Sequence, residues 1–215
     1  MNVGILGTGI VGQTIGTRLV ELGHNVKLGS RSAVNEKARA WAKRAGRLAS
    51  QGTFADTAKF GEVLFNCVSG MGTLSALDFA GVAYLNNKVL IDVANPLDYT
   101  RGSPPTLTVS NTDSLAEQIQ RIHPLVRVVK ALNTMNVDVM VYPERVHGPH
   151  DVFICGNDKD AKATVTMILM EWFRWDSVID LGDITNARGM EMALPLWLSL
   201  QKKLGTNIFN FHVAR

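Results

Sequence analysis

The sequence predicts an α/β fold: a doubly wound, mostly parallel sheet with a small helical segment at its C-terminus. Three observations predict it. Short runs of Val, Ile and Leu alternate with longer segments of helical periodicity. The runs are apolar at nearly every position, as in strands covered on both faces by crossover helices. The alternation stops after Leu181, where one long apolar segment, Arg188–Leu204, takes over. The chain has 215 residues, enough for one large domain where ~100–150 is typical. We divide it into a sheet domain over 1–181 and a helical segment over 182–215.

Val3–Leu6 reads as a strand that stops at Gly7. Ile10, Val11, Ile15, Leu19 and Leu22 then recur at helical spacing, up to Gly23. Asn25–Leu28 is a second strand, Asn35–Ala45 an Ala/Lys/Arg-rich surface helix, and Leu48-Ala49 marks a short third strand. Val63–Val68 and Lys88–Val93 are buried strands, ending in Ser69-Gly70 and Ala94-Asn95-Pro96. Thr100–Pro105 is a Gly/Pro loop, and Ser114–Ile122 is a helix. Val126–Leu132 is a strand ending at Asn133, and Asp151–Cys155 is another. Asp158 suits the N-cap of a helix over Ala161–Phe173. Within it, Trp172, Phe173 and the nearby Trp175 read as packing. Ser177–Leu181 is the last strand, and Pro195 is expected to kink the final helix.

The composition excludes several classes. The apolar fraction of 46% sits near the globular norm of about 45–50%, so a disordered chain is out. A net charge of +3 is too weak for nucleic acid to be the partner. No apolar run approaches the ~20 residues that span a bilayer, so no membrane partner is expected. Cys67 and Cys155 lie in apolar runs with no CxxC spacing, and no basic stretch precedes the first strand. These features point to the cytoplasm. Charged residues are only 19%, against about 25% usually. With Met190, Leu194, Trp197, Leu198 and Leu204 on one segment, that predicts a homodimer.

Gly7-x-Gly9-x-x-Gly12 lies between a strand and a helix, the context that turns a common glycine pattern into a Rossmann dinucleotide site. Gly7 allows the tight turn, Gly9 the approach of a pyrophosphate, and Gly12 close packing of helix on strand. Thr8, Ile10 and Val11 complete this phosphate end, where the helix offers free N–H groups. A site for NAD places Asp or Glu at the end of the second strand. Here Leu28-Gly29-Ser30-Arg31-Ser32 has no acid. Arg31 can fork onto a 2′-phosphate instead, with Ser30 and Thr8 donating, so NADP(H) is expected.

Ligands bind outside the carboxyl ends of the strands in such sheets. Val68 and Ser69, then Ala94 and Asn95, close the cofactor side. Ser69, Asn95, Asn133 and Thr134 can position a flat ring, beside apolar Met71, Leu97 and Met135. These loops hold no His or Tyr, and Lys130 reads as a rim charge. A small-molecule acceptor that needs no proton donor, such as a flavin-like ring, fits best, with no indispensable catalytic side chain. A carbonyl or imine reductase and a non-catalytic NADPH sensor stay open. His147 and His150 read as surface-loop residues, so no metal site is expected.

The chain resembles the deazaflavin-dependent NADP oxidoreductases and their bacterial relatives. It is also similar to the cytoplasmic reductase domain of the six-transmembrane metalloreductases. The resemblance runs through Gly7–Gly12, Gly29–Arg31, Val129–Thr134, Val152–Asp158 and Asp180–Asp183, then Asn186–Arg188 and Glu191. It implies that Thr8, Ser30, Arg31 and Lys37 hold the 2′-phosphate. It also implies that the three strand-end loops hold a flavin or deazaflavin. The deazaflavin enzymes are expected to carry His where this chain has Asn133.

Overall fold

The computed structural model describes residues 1–215. Its sheet has eight strands: β1 (Asn2–Leu6), β2 (Asn25–Ser30), β3 (Ala49–Thr53), β4 (Val63–Asn66), β5 (Val89–Asp92), β8 (Arg127–Ala131), β9 (Val152–Gly156) and β10 (Val178–Asp180). A separate two-stranded hairpin, β6 (Leu97–Asp98) and β7 (Thr106–Leu107), follows β5 directly. The spatial order is β10-β9-β8-β5-β4-β1-β2-β3. All neighbours run parallel except β8 and β9. Chain order reverses between β1 and β4, and the crevice at that switch point is where such sheets bind ligands.

The strands are buried on both faces, so their alternation sends side chains into two cores. Val3, Ile5, Val63, Phe65, Val89, Ile91 and Val129 join one core. Helices α1 (Ile10–Glu21), α2 (Glu36–Ala45), α7 (Val137–Val141) and α8 (Lys159–Met167) cover that core. Leu64, Leu90 and Val128 join the other, under α3 (Phe54–Phe60), α4 (Gly70–Ala80), α6 (Leu115–Ile122) and α9 (Ala187–Leu204). A single turn, α5 (Val82–Leu85), leads into β5. The doubly wound arrangement expected from the sequence is present.

The differences have local causes. Residues 49–53 form a full edge strand although Ser50 and Gln51 are polar, because β2 supplies the ladder. Thr53 and Asp56 then close a capping box that starts α3. The glycine-rich stretch after Ser69 is the first turn of α4 rather than a loop. The helix read as Ala161–Phe173 starts earlier, at Lys159, and ends in a wide π turn over Ile168–Trp172. Phe173 and Trp175 are buried and pack as expected. The helix of α9 continues past Pro195.

The C-terminal segment packs back on the sheet. Met190, Leu194 and Trp197 are buried, and Phe209 stacks on Trp197 with ring centroids 5.1 Å apart. Residues 210–213 are strapped to the start of β9. Asp151 accepts from the Val213 N–H at 2.7 Å and the Ser177 hydroxyl at 2.5 Å. Its own N–H donates to the Phe211 carbonyl at 2.9 Å.

Candidate functional site

Gly7 ends β1 with φ +118°, a left-handed conformation that glycine accepts without cost. A Cβ here would meet the Cys67 carbonyl at 2.6 Å, so β1 and β4 could not end side by side with a larger residue. At Gly12 a Cβ would meet the Gly7 carbonyl at 2.5 Å, which lets α1 start tight against the strand. Gly9 has nothing within 4 Å of its Cβ position and caps α1 without a side-chain bond. The first helical bond runs from Gln13 N–H to Gly9 O, leaving the N–H groups of Ile10, Val11 and Gly12 ahead of the ladder. That is an anion-binding helix start.

Two compartments meet at this point. One, of about 770 Å³, is lined by Gly7, Thr8 and Gly9, by Ser30 and Arg31, and by the start of α4. The other, of about 670 Å³, is lined by Ile10 and Val11, the ends of β4 and β5, Asn133, and the wall of α9. They share Gly9, Cys67, Val68, Ser69 and Met71. Val68, Ser69, Ala94, Asn95 and Asn133 therefore come together as the sequence suggested. Thr134 and Lys37 do not line either compartment. Thr134 is buried, and Lys37 is exposed on the first turn of α2. Gly12 lines neither compartment; what it offers is close packing and its backbone N–H.

The second compartment is mainly apolar, with 15 hydrophobic residues among 22, so its few polar groups set orientation. Ser69 caps α4 without bonding it, which leaves its hydroxyl unengaged. Asn95 and Asn133 interlock. Asn95 Nδ2 donates to the Asn133 carbonyl at 2.8 Å, and Asn133 Nδ2 donates to Asn95 Oδ1 at 2.9 Å. Asn133 Nδ2 also donates to the Met190 carbonyl at 3.0 Å, tying the floor to α9.

Beneath the floor lies a polar row that the sequence did not announce. Asn66, Asp92 and Lys130 are paired across β4, β5 and β8. All three are fully buried. Asn66 Nδ2 donates to Asp92 Oδ1 at 2.7 Å and to Thr73 of α4 at 3.2 Å. Lys130 Nζ sits 2.9 Å from Asp92 Oδ2 and 2.8 Å from Glu191 Oε1, and also donates to the Ala94 carbonyl. The expected rim charge is thus an interior cation. Burial alone would lower its pKa, but the two carboxylates outweigh this and raise it. Burial pushes the Glu191 carboxyl up, with Lys130 opposing. Glu191 also accepts from the Leu115 and Ala116 N–H groups at the start of α6. The Cys67 thiol, below the junction of the compartments, is pushed well up by burial and by Asp92.

Sequence reasoning missed Tyr99, which reaches the second compartment from the β6–β7 hairpin, and Leu194, Trp197 and Gln201 of α9 as its wall. Tyr99 lies one residue beyond the loop expected to matter. The residues of α9 are distant in sequence, and only the fold brings them in.

Comparison with known proteins agrees with this architecture. A family model described as NADP oxidoreductase, coenzyme F420-dependent, matches residues 2–96. The chain is 46% identical to a solved structure from Arthrobacter sp. FB24, provisionally assigned as an F420-dependent NADP-reductase. The TM-score is 0.94, with 99% of each chain covered. Over 207 residues it is 33% identical to the metalloreductase STEAP3 of Rattus norvegicus, covering 95% of this chain. It spans 38% of that relative's length. An Aspergillus terreus reductive aminase in complex with NADPH and ethyl levulinate shares the fold at 17% identity and a TM-score of 0.66. That match covers 95% of this chain and 62% of the aminase. No helix is long and apolar enough to cross a membrane. In sequence and in fold, the chain belongs to the family of coenzyme F420-dependent NADP oxidoreductases.

Proposed function

We propose that this oxidoreductase passes a hydride between NADP(H) and a flavin or deazaflavin bound in the second compartment. One observation carries the reading. The two compartments share Gly9, Cys67, Val68, Ser69 and Met71, so a dinucleotide anchored at the start of α1 extends into the apolar chamber. The residues fit it. The N–H groups at 10–12 suit a pyrophosphate, and Arg31, Ser30 and Thr8 line the end meant for a 2′-phosphate. Bound NADPH supplies the hydride. Ser69, Asn95 and Asn133 orient the rings at the floor, while α9 and the hairpin exclude water. Catalysis then comes from holding donor and acceptor carbons about 3–3.5 Å apart. Stopped-flow oxidation of NADPH with flavin, deazaflavin and simple ketones as acceptors tests it. Turnover of ketones alone defeats it.

Tyr99 favours a second reading. Its hydroxyl is a proton donor on the chamber's rim, which a carbonyl or imine reductase would need.

We also propose a homodimer and a cytoplasmic location. Met190, Leu194 and Trp197 face the chain's own core, so the dimer rests on another stripe of α9. Met192, Leu196 and Leu204 recur at spacings of four or eight and are 41%, 56% and 55% exposed. Free Cys67 and Cys155 suit a reducing compartment.

A further inference from the structure

We propose that Tyr99 is the stacking face by which the second compartment selects a flat aromatic acceptor. This rests on the hydride-transfer reading above and names the residue that recognises the ring.

Most large apolar side chains of the chamber are packed away. Val93, Ala94, Met135, Leu194 and Trp197 are each below 9% exposed. Three are not: Ile10 at 74%, Met71 at 67% and Tyr99 at 60%. All three line this one groove. Ile10 and Met71 stand at the starts of α1 and α4, beside the path of the dinucleotide. Tyr99 comes instead from the β6–β7 hairpin, away from the helix start that receives the pyrophosphate, and lines only the second compartment. Three large exposed apolar side chains gathered on one groove, rather than scattered singly, mark a surface that a ligand covers. A nicotinamide ring alone leaves most of about 670 Å³ open, a volume that suits a larger ligand.

The hairpin holds Tyr99 in place without burying it. β6 and β7 share only two residue pairs, Leu97↔Leu107 and Asp98↔Thr106. Such a ribbon is weak alone, yet further bonds of its own close it at the base and at the tip. The Thr108 N–H donates to the Pro96 carbonyl at 2.8 Å, directly after the floor residue Asn95. The Thr100 N–H donates to Asp98 Oδ1 at 2.8 Å, and the Gly102 N–H to the Tyr99 carbonyl at 2.9 Å. The backbone of Tyr99 is therefore fixed while its ring faces open space. A planar acceptor gains an offset-stacked contact there. A small ketone or imine has no face to offer.

The test separates the face from the hydroxyl. Riboflavin and a deazaflavin are titrated, each in its oxidised form with NADP⁺ present, so that binding is read by fluorescence without turnover. Calorimetry follows NADP⁺ itself. Tyr99→Ala is expected to weaken ring binding about tenfold, as loss of one stacking face does, and to leave the NADP⁺ affinity within about twofold. Tyr99→Phe is expected to restore ring binding. The two probes show which ring the chamber prefers. If wild type binds a ring and Tyr99→Ala binds it equally well, the stacking role is overturned while the hydride-transfer reading stands. If wild type binds neither ring, both are overturned. If Tyr99→Phe binds as weakly as Tyr99→Ala, the hydroxyl makes the contact and the proposal fails.

Discussion

The ammonium of Lys130 stands 2.8 Å from Oε1 of Glu191, joining β8 to α9 across the interior. Strand alternation places Lys130 on the face shared by Val128, under α6 and α9. There it meets two carboxylates, Asp92 and Glu191, all at most 1% exposed. One cation balances two anions, and the N–H groups of α6 take up part of the remainder.

Removing Lys130 should therefore damage the fold before it informs on catalysis. Lys130→Met leaves two buried carboxylates without a cation, and breaking such a cluster costs about 3–5 kcal/mol. Glu191→Gln keeps the shape and leaves one charge of each sign, so its loss should be smaller. Urea unfolding of both variants checks this. Equal midpoints for wild type and Lys130→Met would show that the cluster carries little stability.

Arg31 should set the choice of cofactor. Arg31→Ala is expected to weaken NADPH by roughly 10–150-fold, the value of one charge-assisted contact. NADH binding should barely change. Calorimetry with both cofactors decides, and equal wild-type affinity for the two would end the assignment.

Asn133 should matter to the acceptor more than to the dinucleotide. Asn133→Leu breaks the interlock with Asn95 and frees α9 at Met190. Steady-state kinetics should show kcat/KM for the acceptor falling on the order of tenfold, as misplacement of a reacting ring does. The NADPH dissociation constant should hold. A parallel loss of both would instead mean general unfolding of the site.

Acid should loosen the C-terminal strap. Burial pushes the Asp151 carboxyl up, but hydrogen bonds from Ser177, Val213 and His212 outweigh it and hold it below the usual carboxylate range. A depressed folded pKa gives stability that is present above the unfolded value, about 3.9, and lost as pH falls through the folded one. Asp151→Asn should therefore be less stable than wild type near neutrality, with the gap narrowing as pH falls below the unfolded carboxylate value. Denaturant titrations along that range check it.

Light scattering addresses the exposed stripe of α9. The expected mass is twice the 23.5 kDa of one chain, and Leu196→Glu should reduce it to a single chain. A wild-type monomer across micromolar concentrations would remove the dimer.

The sheet was legible because most of its strands are dominated by Val, Ile and Leu, with β3 the exception, and the phosphate end because Gly7, Gly9 and Gly12 keep a fixed spacing. α4 was hidden by Gly70 and Gly72, poor helix formers that sit in its first turn. α3 was hidden by its brevity, seven residues started by Thr53. Lys130 looked ordinary because its partner Glu191 lies on a helix far along the chain. Tyr99 looked like a loop residue because a two-pair hairpin has almost no periodicity to read.

The two compartments differ in how much of the chain must exist before they can. Every residue lining the first lies between Gly7 and Phe79. The second draws on residues from Gly9 to Gln201, and its Trp197 is backed by Phe209. During synthesis, which adds about 5–20 residues per second, the cofactor's cradle is fully spelled out while most of the protein is still unmade. The wall of the second compartment waits for α9 and for Phe209 behind it. On the reading proposed above, assembly follows the order of the chemistry, with the place for the donor written before the place for the acceptor.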